Sequence, residues 1–396
     1  MGFFCLNLPI IMNIILFDTD RSNYYPLSFT RPISFFRVGI LTIKEKWEHY
    51  YEKVSIKTDD FLSNKFPTNL ESDNLWINSR ILPSSEFLTE LNSLREGEVL
   101  VKAKDVFAFR NCSFDYRKLN KIESNVNFDI IEKLSDIFSF NDKEIRKDFK
   151  LLTKGRISSS LTKDNIVLGD DVFVEDGASV SCAILNSNNG PIYIGKNTEV
   201  MEGSVIKGPF AMLDNSVLKI NSKIYESTTI GPYCKVGGEV INSIFFGYSS
   251  KAHSGFMGNS VIGEWCNIGA GTVTSNLKNN YAEVKLWNYK YEKFNKTGLQ
   301  FCGLVMGDHS KTAINTMFNT GTVVGVSVNV FGSGFPRNFI PSFSWGGAAG
   351  FSIYRLSDFY KVAIKVLKRR EFSFNLIDKR ILEEVYNMTK RYRNEF

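Results

Sequence analysis

His253 stands in the stretch Lys251-Ala252-His253-Ser254-Gly255-Phe256-Met257-Gly258-Asn259 and is one of three histidines in the chain, with His49 and His309. An imidazole with an ordinary pKa of about 6.5 can take up a proton near neutral pH. That is what a general base needs when it deprotonates an amine attacking a thioester. Lys251 offers a cation suited to a phosphate, and Asn267 and Asn276 offer uncharged hydrogen-bonding groups downstream. The same spacing also fits a plainer role, a surface histidine that caps a turn. His309 and Lys311, in Gly307-Asp308-His309-Ser310-Lys311-Thr312, present the same residue types to an anion, but the preferred reading there is a solvated corner.

Such side chains need a rigid frame, and the sequence announces one by a period of six. Apolar anchors fall at Ile194, Val200, Ile206, Met212, Leu218, Ile224, Ile230 and Val236. The same step appears upstream at Leu168, Val174 and Val180, and downstream at Phe256, Ile262 and Ile268. Neither an α-helix nor a lone alternating strand has this period, whereas a parallel β-helix of hexapeptide turns does. Two positions before the anchors sit small residues: Thr198, Ser204, Ser216, Ser222, Thr228, Cys234, Ser260 and Cys266. A tight inner corner requires them, since a bulky side chain there would strike the next coil. The step is broken just before His253, as expected of a loop that re-aims side chains.

Composition narrows the class. A chain of 396 residues, 43% hydrophobic and 23% charged, has room for two or three globular domains. The net charge of +6 is spread out, with its densest run at Lys365, Lys368, Arg369 and Arg370. It suits anionic substrates such as phosphates and is too weak to argue for nucleic acid. The six cysteines show no CxxC spacing and no histidine at a metal-like interval. They are read as reduced, packed thiols of a cytoplasmic protein, not as a zinc site. The opening apolar run has no Lys or Arg before it and no small-residue cleavage site. Its second half, Asn13–Phe17, reads as a buried strand, with Met12 as a plausible start and residues 1–11 as an extension without a role. No further apolar run is long enough to cross a membrane.

Three regions are expected: an α/β domain over residues 12–155, a β-helix over 156–335, and a helical tail over 354–396. Strands are expected at Ile14–Phe17, Leu75–Ile77 and Val99–Val101, with helices at Gly39–Trp47, Ser84–Leu94 and Asp142–Arg156. The repeats carry one insertion, Lys278–Gln300. In the tail, Phe359, Val362, Ala363 and Val366 follow the spacing of an amphipathic helix, and a second helix is expected over Leu376–Tyr392.

The run Lys251–Asn280 resembles the acetyltransferase signature of the bifunctional GlmU family. The matching residues are His253, Phe256, Gly258, the block Asn267-Ile268-Gly269-Ala270-Gly271-Thr272, and Asn276. The resemblance implies acetyl-CoA-dependent N-acetylation of glucosamine-1-phosphate, followed by uridylyl transfer to give UDP-N-acetylglucosamine. It implies His253 as general base, Lys251, Phe256, Asn267 and Asn276 as substrate-binding groups, and Ala270 beside the pantetheine of acetyl-CoA. Phe256 stands where the family has a tyrosine, and the family's downstream lysine falls on either Lys278 or Lys285. The resemblance also implies a left-handed parallel β-helix, closing as a homotrimer because flat prism walls pack around a threefold axis.

The amino-terminal part resembles an atypical sugar nucleotidyltransferase domain, as in the shortened, Bacteroidetes-type GlmU-like proteins. Such domains open with a strand and a Gly-rich loop that wraps phosphates. Here Ile14–Phe17 is followed by Asp18-Thr19-Asp20-Arg21-Ser22-Asn23-Tyr24-Tyr25-Pro26, without glycine. Arg21 and Arg31 are the candidates for nucleotide phosphate, taking UTP or dTTP. Asp18 and Asp20 are the candidates for Mg²⁺, since ligands gather beyond the carboxyl ends of parallel strands. Two alternatives stand beside this reading. One is a sugar-1-phosphate nucleotidyltransferase of the glucose-1-phosphate thymidylyltransferase type with a structural β-helix. The other is a non-catalytic trimeric scaffold. Neither a nucleic-acid nor a membrane partner is expected.

Overall fold

The structure, a computed structural model, describes residues 10–103 and 105–393. Most of the extension read at residues 1–11 therefore lies outside the described residues. The chain divides into two compact units, each described on its own terms. The first comprises residues up to Arg21 together with Arg31–Phe36 and Leu41–Glu132, and the second comprises Ser22–Thr30, Arg37–Ile40 and Lys133 onward.

The first unit is built on a six-stranded mixed sheet. Its strands are β1 (Ile10–Phe17), β2 (Tyr51–Lys57), β3 (Asn74–Asn78), β4 (Glu98–Lys102), β5 (Asp105–Arg110) and β6 (Asn120–Glu123), in the order β2-β1-β3-β5-β4-β6. β1 lies parallel to both β2 and β3, which explains its unbroken apolar run: a central parallel strand is buried on both faces. Ile14, Ile15 and Leu16 are fully buried. The expected strands over residues 14–17, 75–77 and 99–101 all lie within this sheet.

The helix expected from Gly39 starts later, at Ile43, and runs to Glu48. Thr42 and Glu45 form a reciprocal capping box, with the Thr42 N–H donating to Glu45 at 2.6 Å, and this fixes the start. Ser84 caps the helix Ser85–Ser93 by accepting the Phe87 N–H.

The second unit is a left-handed parallel β-helix with three walls. The first wall holds eight strands, from Ile166–Leu168 to Met317–Phe318, and the second nine, from Val172–Val174 to Phe339–Ile340. The third is a ladder of five and a ladder of four strands, joined through bridges from Asn267 to Ser250 and Lys311. Anchors stack in register: on the third wall Val180 pairs with Val200, Val200 with Leu218, and Leu218 with Val236. Each is at most 6% exposed, and the small corner residues at most 2%. A fully buried aliphatic side chain of this kind stabilises by about 1.5–3 kcal/mol.

Two anchors fall elsewhere. Leu168 is 42% exposed because it lies opposite Asn186 on the outer face, and Val167 takes the inner position opposite Leu185. Phe256 lies on the outer face, and Met257 takes the inner position opposite Val240. The cause is downstream, where only the four residues Gly258 to Val261 separate Met257 from Ile262, so a count of six back from Ile262 lands one position early. Parallel strands also continue past Phe331 to Ser344–Gly347, followed by the antiparallel Gly350–Ile353.

The segment expected to link the domains is the helix Asn141–Thr153, which lies against the second wall. Ile145 packs there with Ile40, Phe173, Tyr193 and Ala211. Asn141 accepts the Gly39 N–H at 2.7 Å and donates to Ser227 O at 2.6 Å. The tail forms the helices Leu356–Lys368 and Leu376–Met388. Among the described residues no helix is long and apolar enough to cross a membrane. Of the cysteines, Cys234, Cys266 and Cys302 are buried, which pushes their thiols up to about 12, whereas Cys112 and Cys182 are exposed and not packed as expected.

Candidate active site

His253 rises from the corner between the third and first walls, where five residues separate Lys251 from Met257. The coil below turns the same corner with three, two fewer than the regular five, so the corner that carries His253 is the longer of the two. Lys251 sets the base of this corner. It occupies an inner anchor position opposite Val236 and is 1% exposed. Its stem crosses the core, and its ammonium donates to Gly237 O at 2.8 Å and to His253 O at 2.9 Å. Burial lowers its pKa from 10.5 to about 8. Gly238, at φ +78°, opens the space: a Cβ there would stand 3.0 Å from the ammonium and 2.9 Å from His253 O. So placed, Lys251 offers no free charge to a substrate phosphate and instead ties down the backbone that carries His253.

The two halves of the signature lie on consecutive coils. Ser250 bridges to Asn267 and Met257 pairs with Thr274, both seventeen residues on, so His253 occupies the place directly below Ala270. The Gly271 N–H donates to Ser254 O at 3.0 Å across the same gap. The imidazole is exposed, and among the described residues no side chain bonds to it. On the first wall, the Asn276 amide donates to Asn259 Oδ1 at 2.7 Å. Gly258 lies against both this amide and the Phe256 ring: a Cβ there would meet Asn276 Nδ2 at 2.5 Å and Phe256 Cζ at 2.8 Å. Phe256, Gly258, Asn259 and Asn276 thus share one patch of wall. Asn267 is exposed, with its backbone held between Ser310 O at 3.0 Å and the Thr312 N–H at 2.9 Å. An exposed base, an amide and an aromatic ring along one corner and wall can orient an amine and accept its proton.

Residues 14–157 match the family model for sugar nucleotidyl transferases. The chain is 26% identical over 211 residues to the bifunctional protein GlmU of Synechococcus elongatus, covering 50% of this chain and 42% of that protein. It is 26% identical over 276 residues to the bifunctional protein GlmU of Wigglesworthia glossinidia brevipalpis, covering 65% and 53%. The chain is GlmU-like. It is also 30% identical over 171 residues to a bifunctional sugar-1-phosphate nucleotidylyltransferase/acetyltransferase of Sulfurisphaera tokodaii, covering 42% and 40%. The GlmU-like chain spans about half the length of the curated relatives it matches. Among solved structures, a UDP-N-acetylglucosamine acyltransferase of Francisella novicida aligns over 59% of this chain and 76% of its own, at 12% identity and a TM-score of 0.28. That score carries no weight beside the strand ladders themselves.

The carboxyl end of β1 in this GlmU-like chain is closed by its own residues. Asp18 is buried; one oxygen accepts the Ile33 N–H at 3.1 Å and the other the Thr58 hydroxyl at 2.7 Å, with Arg21 Nε at 3.5 Å. Burial raises the Asp18 pKa to about 6, against the lowering effects of Arg21, Thr58 and Ile33. Arg21, 3% exposed, also pairs with Asp59 and donates to Arg31 O at 3.3 Å, and Arg31 is 6% exposed. Asp20 is exposed. Among the described residues no three His, Cys, Asp or Glu side chains gather as a metal site. As placed, Asp18 does not fit a divalent cation, and Arg21 is committed to two carboxylates. Thr58 and Asp59 complete this network, and no spacing in the sequence flagged them. His309 is not a solvated corner either: it stacks on Trp265 at 6.4 Å and meets the edge of Phe359 at 5.5 Å, and Lys311 donates to its carbonyl.

Proposed function

We propose that the chain transfers an acetyl group from acetyl-CoA to the 2-amino group of an amino-sugar 1-phosphate, glucosamine-1-phosphate being the expected acceptor. The observation that carries this reading is the stacking of His253 beneath Ala270, with the imidazole exposed and without an internal side-chain partner. In this scheme the His253 imidazole takes the amine proton as nitrogen attacks the thioester carbonyl, and the thiolate of CoA leaves. Asn276, held by Asn259, orients the sugar, and Phe256 packs against it. Lys251 acts through the His253 backbone, as a positioning residue.

Uridylyl transfer in the amino-terminal domain is the weaker half of the proposal, because Asp18 and Arg21 neutralise each other inside the fold. The product, were both halves active, is UDP-N-acetylglucosamine. Assembly as a homotrimer and a cytoplasmic location belong to the same proposal. The test is release of free CoA thiol from acetyl-CoA and glucosamine-1-phosphate, by wild type and His253→Ala. Turnover lost by about 10²-fold or more in the variant supports the base assignment. Absence of turnover in folded wild type overturns it.

A further inference from the structure

The β-helix begins with an open strand edge. Its lowest first-wall strand, Ile166–Leu168, ends the eight-stranded ladder, and among the described residues no strand pairs below it. The other two walls are closed from beneath by the chain that leads in. The Ser159 N–H donates to Val174 O at 2.8 Å, the Asn165 amide donates to Val180 O at 2.8 Å, and Leu161 packs against the core.

On the first wall the Ile166 N–H donates to Ala183 O at 2.9 Å, and Leu168 O accepts the Ser187 N–H at 2.7 Å. Both residues thus spend their backbone groups on the coil above. Alternate residues of a parallel strand bond to opposite sides, so the Val167 N–H and C=O point out of the open edge together. Ile166 is 54% exposed, Val167 and Leu168 42% each, and Ile157, just before the closing segment, 96%. Soluble proteins blunt such edges with lysine, proline or a bulge, and this one is wholly aliphatic.

The edge is complementary to itself. A two-fold axis through Val167, normal to the first wall, would set two such strands antiparallel. Directly opposite residues then exchange both N–H to O=C bonds, which is what the two outward groups of Val167 require. Ile166 would lie beside Leu168 of the second copy on the outer face, and the two Val167 side chains would join the cores. The same axis exchanges the second and third walls, so each exposed Ile157 would meet the base of the other copy's third wall. It also sets the corner before the strand against the corner after it. The first carries Lys163 and the second Asp170 and Asp171; all three are exposed, and among the described residues none of their side chains is paired. Asp164, beside Lys163, is already held by the Cys182 N–H at 2.8 Å. Opposite charges would therefore face each other at both ends of the contact.

We infer that this end of the β-helix is an interface to a second copy of the chain, paired antiparallel through Val167. The inference goes beyond the acetyl-transfer reading and does not depend on it. A two-fold contact closes on itself, so the assembly holds an even number of chains: two, or six where threefold trimers pair end to end. One prism end is small beside the roughly 1,000 Å² that a stable interface buries, and a trimer presents three ends at once.

The test is sedimentation equilibrium of the full chain from about 5 to 100 μM, with hydrogen exchange followed at the Val167 amide. An even-numbered species is expected, with that amide protected only as the species forms. Proline is tolerated at an edge position whose N–H faces outward, so Val167→Pro should leave the melting temperature within a few degrees and break the contact. Leu168→Lys sets a cation against aliphatic neighbours. Each substitution acts twice across a two-fold, so pairing should weaken by about 100-fold, tenfold per copy. In both variants the mass should halve, to a monomer or a trimer. Should Val167→Pro fail to fold, Leu168→Lys decides alone. A wild type that stays monomeric or trimeric throughout that range overturns the inference, as does an even-numbered assembly that the folded variants leave intact. So does a Val167 amide protected in the monomer, which would mean that another part of the chain covers the edge. Absence of acetyl transfer leaves the mass unchanged, so the two readings fail separately.

Discussion

Replacing Lys251 by methionine separates its cost to the fold from its use. The side chain sits in a column otherwise filled by Val200, Leu218, Val236 and Ile268, where methionine fits by volume. Burial lowers the lysine pKa from 10.5 to about 8. A fall of that size corresponds to about 3 kcal/mol of penalty on the charged form, an upper bound because the two carbonyl bonds return part of it. The sign follows from proton binding. Between these two values the unfolded chain keeps its proton while the folded chain has lost it, so wild-type stability rises with pH through that window. The penalty is complete below pH 8 and shrinks to under about 1 kcal/mol by pH 10. Lys251→Met is therefore expected to match or exceed wild type at pH 7 and to lose about 2 kcal/mol of relative standing by pH 10. Urea unfolding followed by tryptophan fluorescence at the two pH values measures this, since Trp265 lies on the next coil. The same variant should lower kcat for acetyl transfer with little change in KM, because His253 O loses its tie. A stability difference independent of pH would refute the buried-charge argument. A change confined to KM would refute the positioning role and restore Lys251 as a phosphate contact.

Other changes test other parts of the frame. Leu218→Ala, at a fully buried anchor, should cost about 2–5 kcal/mol in the β-helix transition measured by calorimetry. Gly258→Ala pushes a methyl into the Asn276 amide and the Phe256 ring. It should reduce acetyl transfer by about tenfold or more while leaving the melting temperature within a few degrees, as steady-state rates and a thermal scan will show. Asp18→Asn addresses the first unit. Its folded pKa is raised from 3.8 to about 6, so the stability it confers is present below pH 3.8 and lost as pH rises through 6. The variant should stabilise the unit at pH 8, by up to about 3 kcal/mol, and do little near pH 4, as thermal unfolding at the two pH values will report.

Periodicity made the β-helix legible, because one wall position repeats at each step and must be apolar whatever its neighbours do. The corner that matters most broke that rule. Between Val236 and Met257 the steps shorten at Gly237-Gly238 and the inner series passes through a lysine. A pattern search for apolar residues skips Lys251, and because the step from Met257 to Ile262 is five residues, counting back by six lands one position early, on Phe256. Likewise Asp18 and Arg21 looked free in sequence because their partners, Thr58 and Asp59, come from a different strand end. Charge in a sequence says nothing of whether the fold has already neutralised it.

The left-handed corners show why residue type alone misplaced His309. Asn197, Asn215, Asn221, Asn242, Asn259 and Asn315 all adopt positive φ, the conformation asparagine tolerates best among residues with a Cβ. Tyr233, Tyr248, Trp265 and His309 adopt it too, at φ of 55–61°. They form a stacked ladder, with rings 5.2, 4.5 and 6.4 Å apart, and Phe372 meets the first three edge-on. Aromatic residues are poor choices for a strained solvent-facing turn, and their presence is explained by burial under the carboxyl-terminal segment, whose Arg370 also bonds Tyr233 O. The backbone demand is the same at every such corner, so a corner's side chain reports what covers it. Asn197, Asn215, Asn221 and Asn315 mark corners left to water; the aromatic run from Tyr233 to His309 marks the edge that the tail closes.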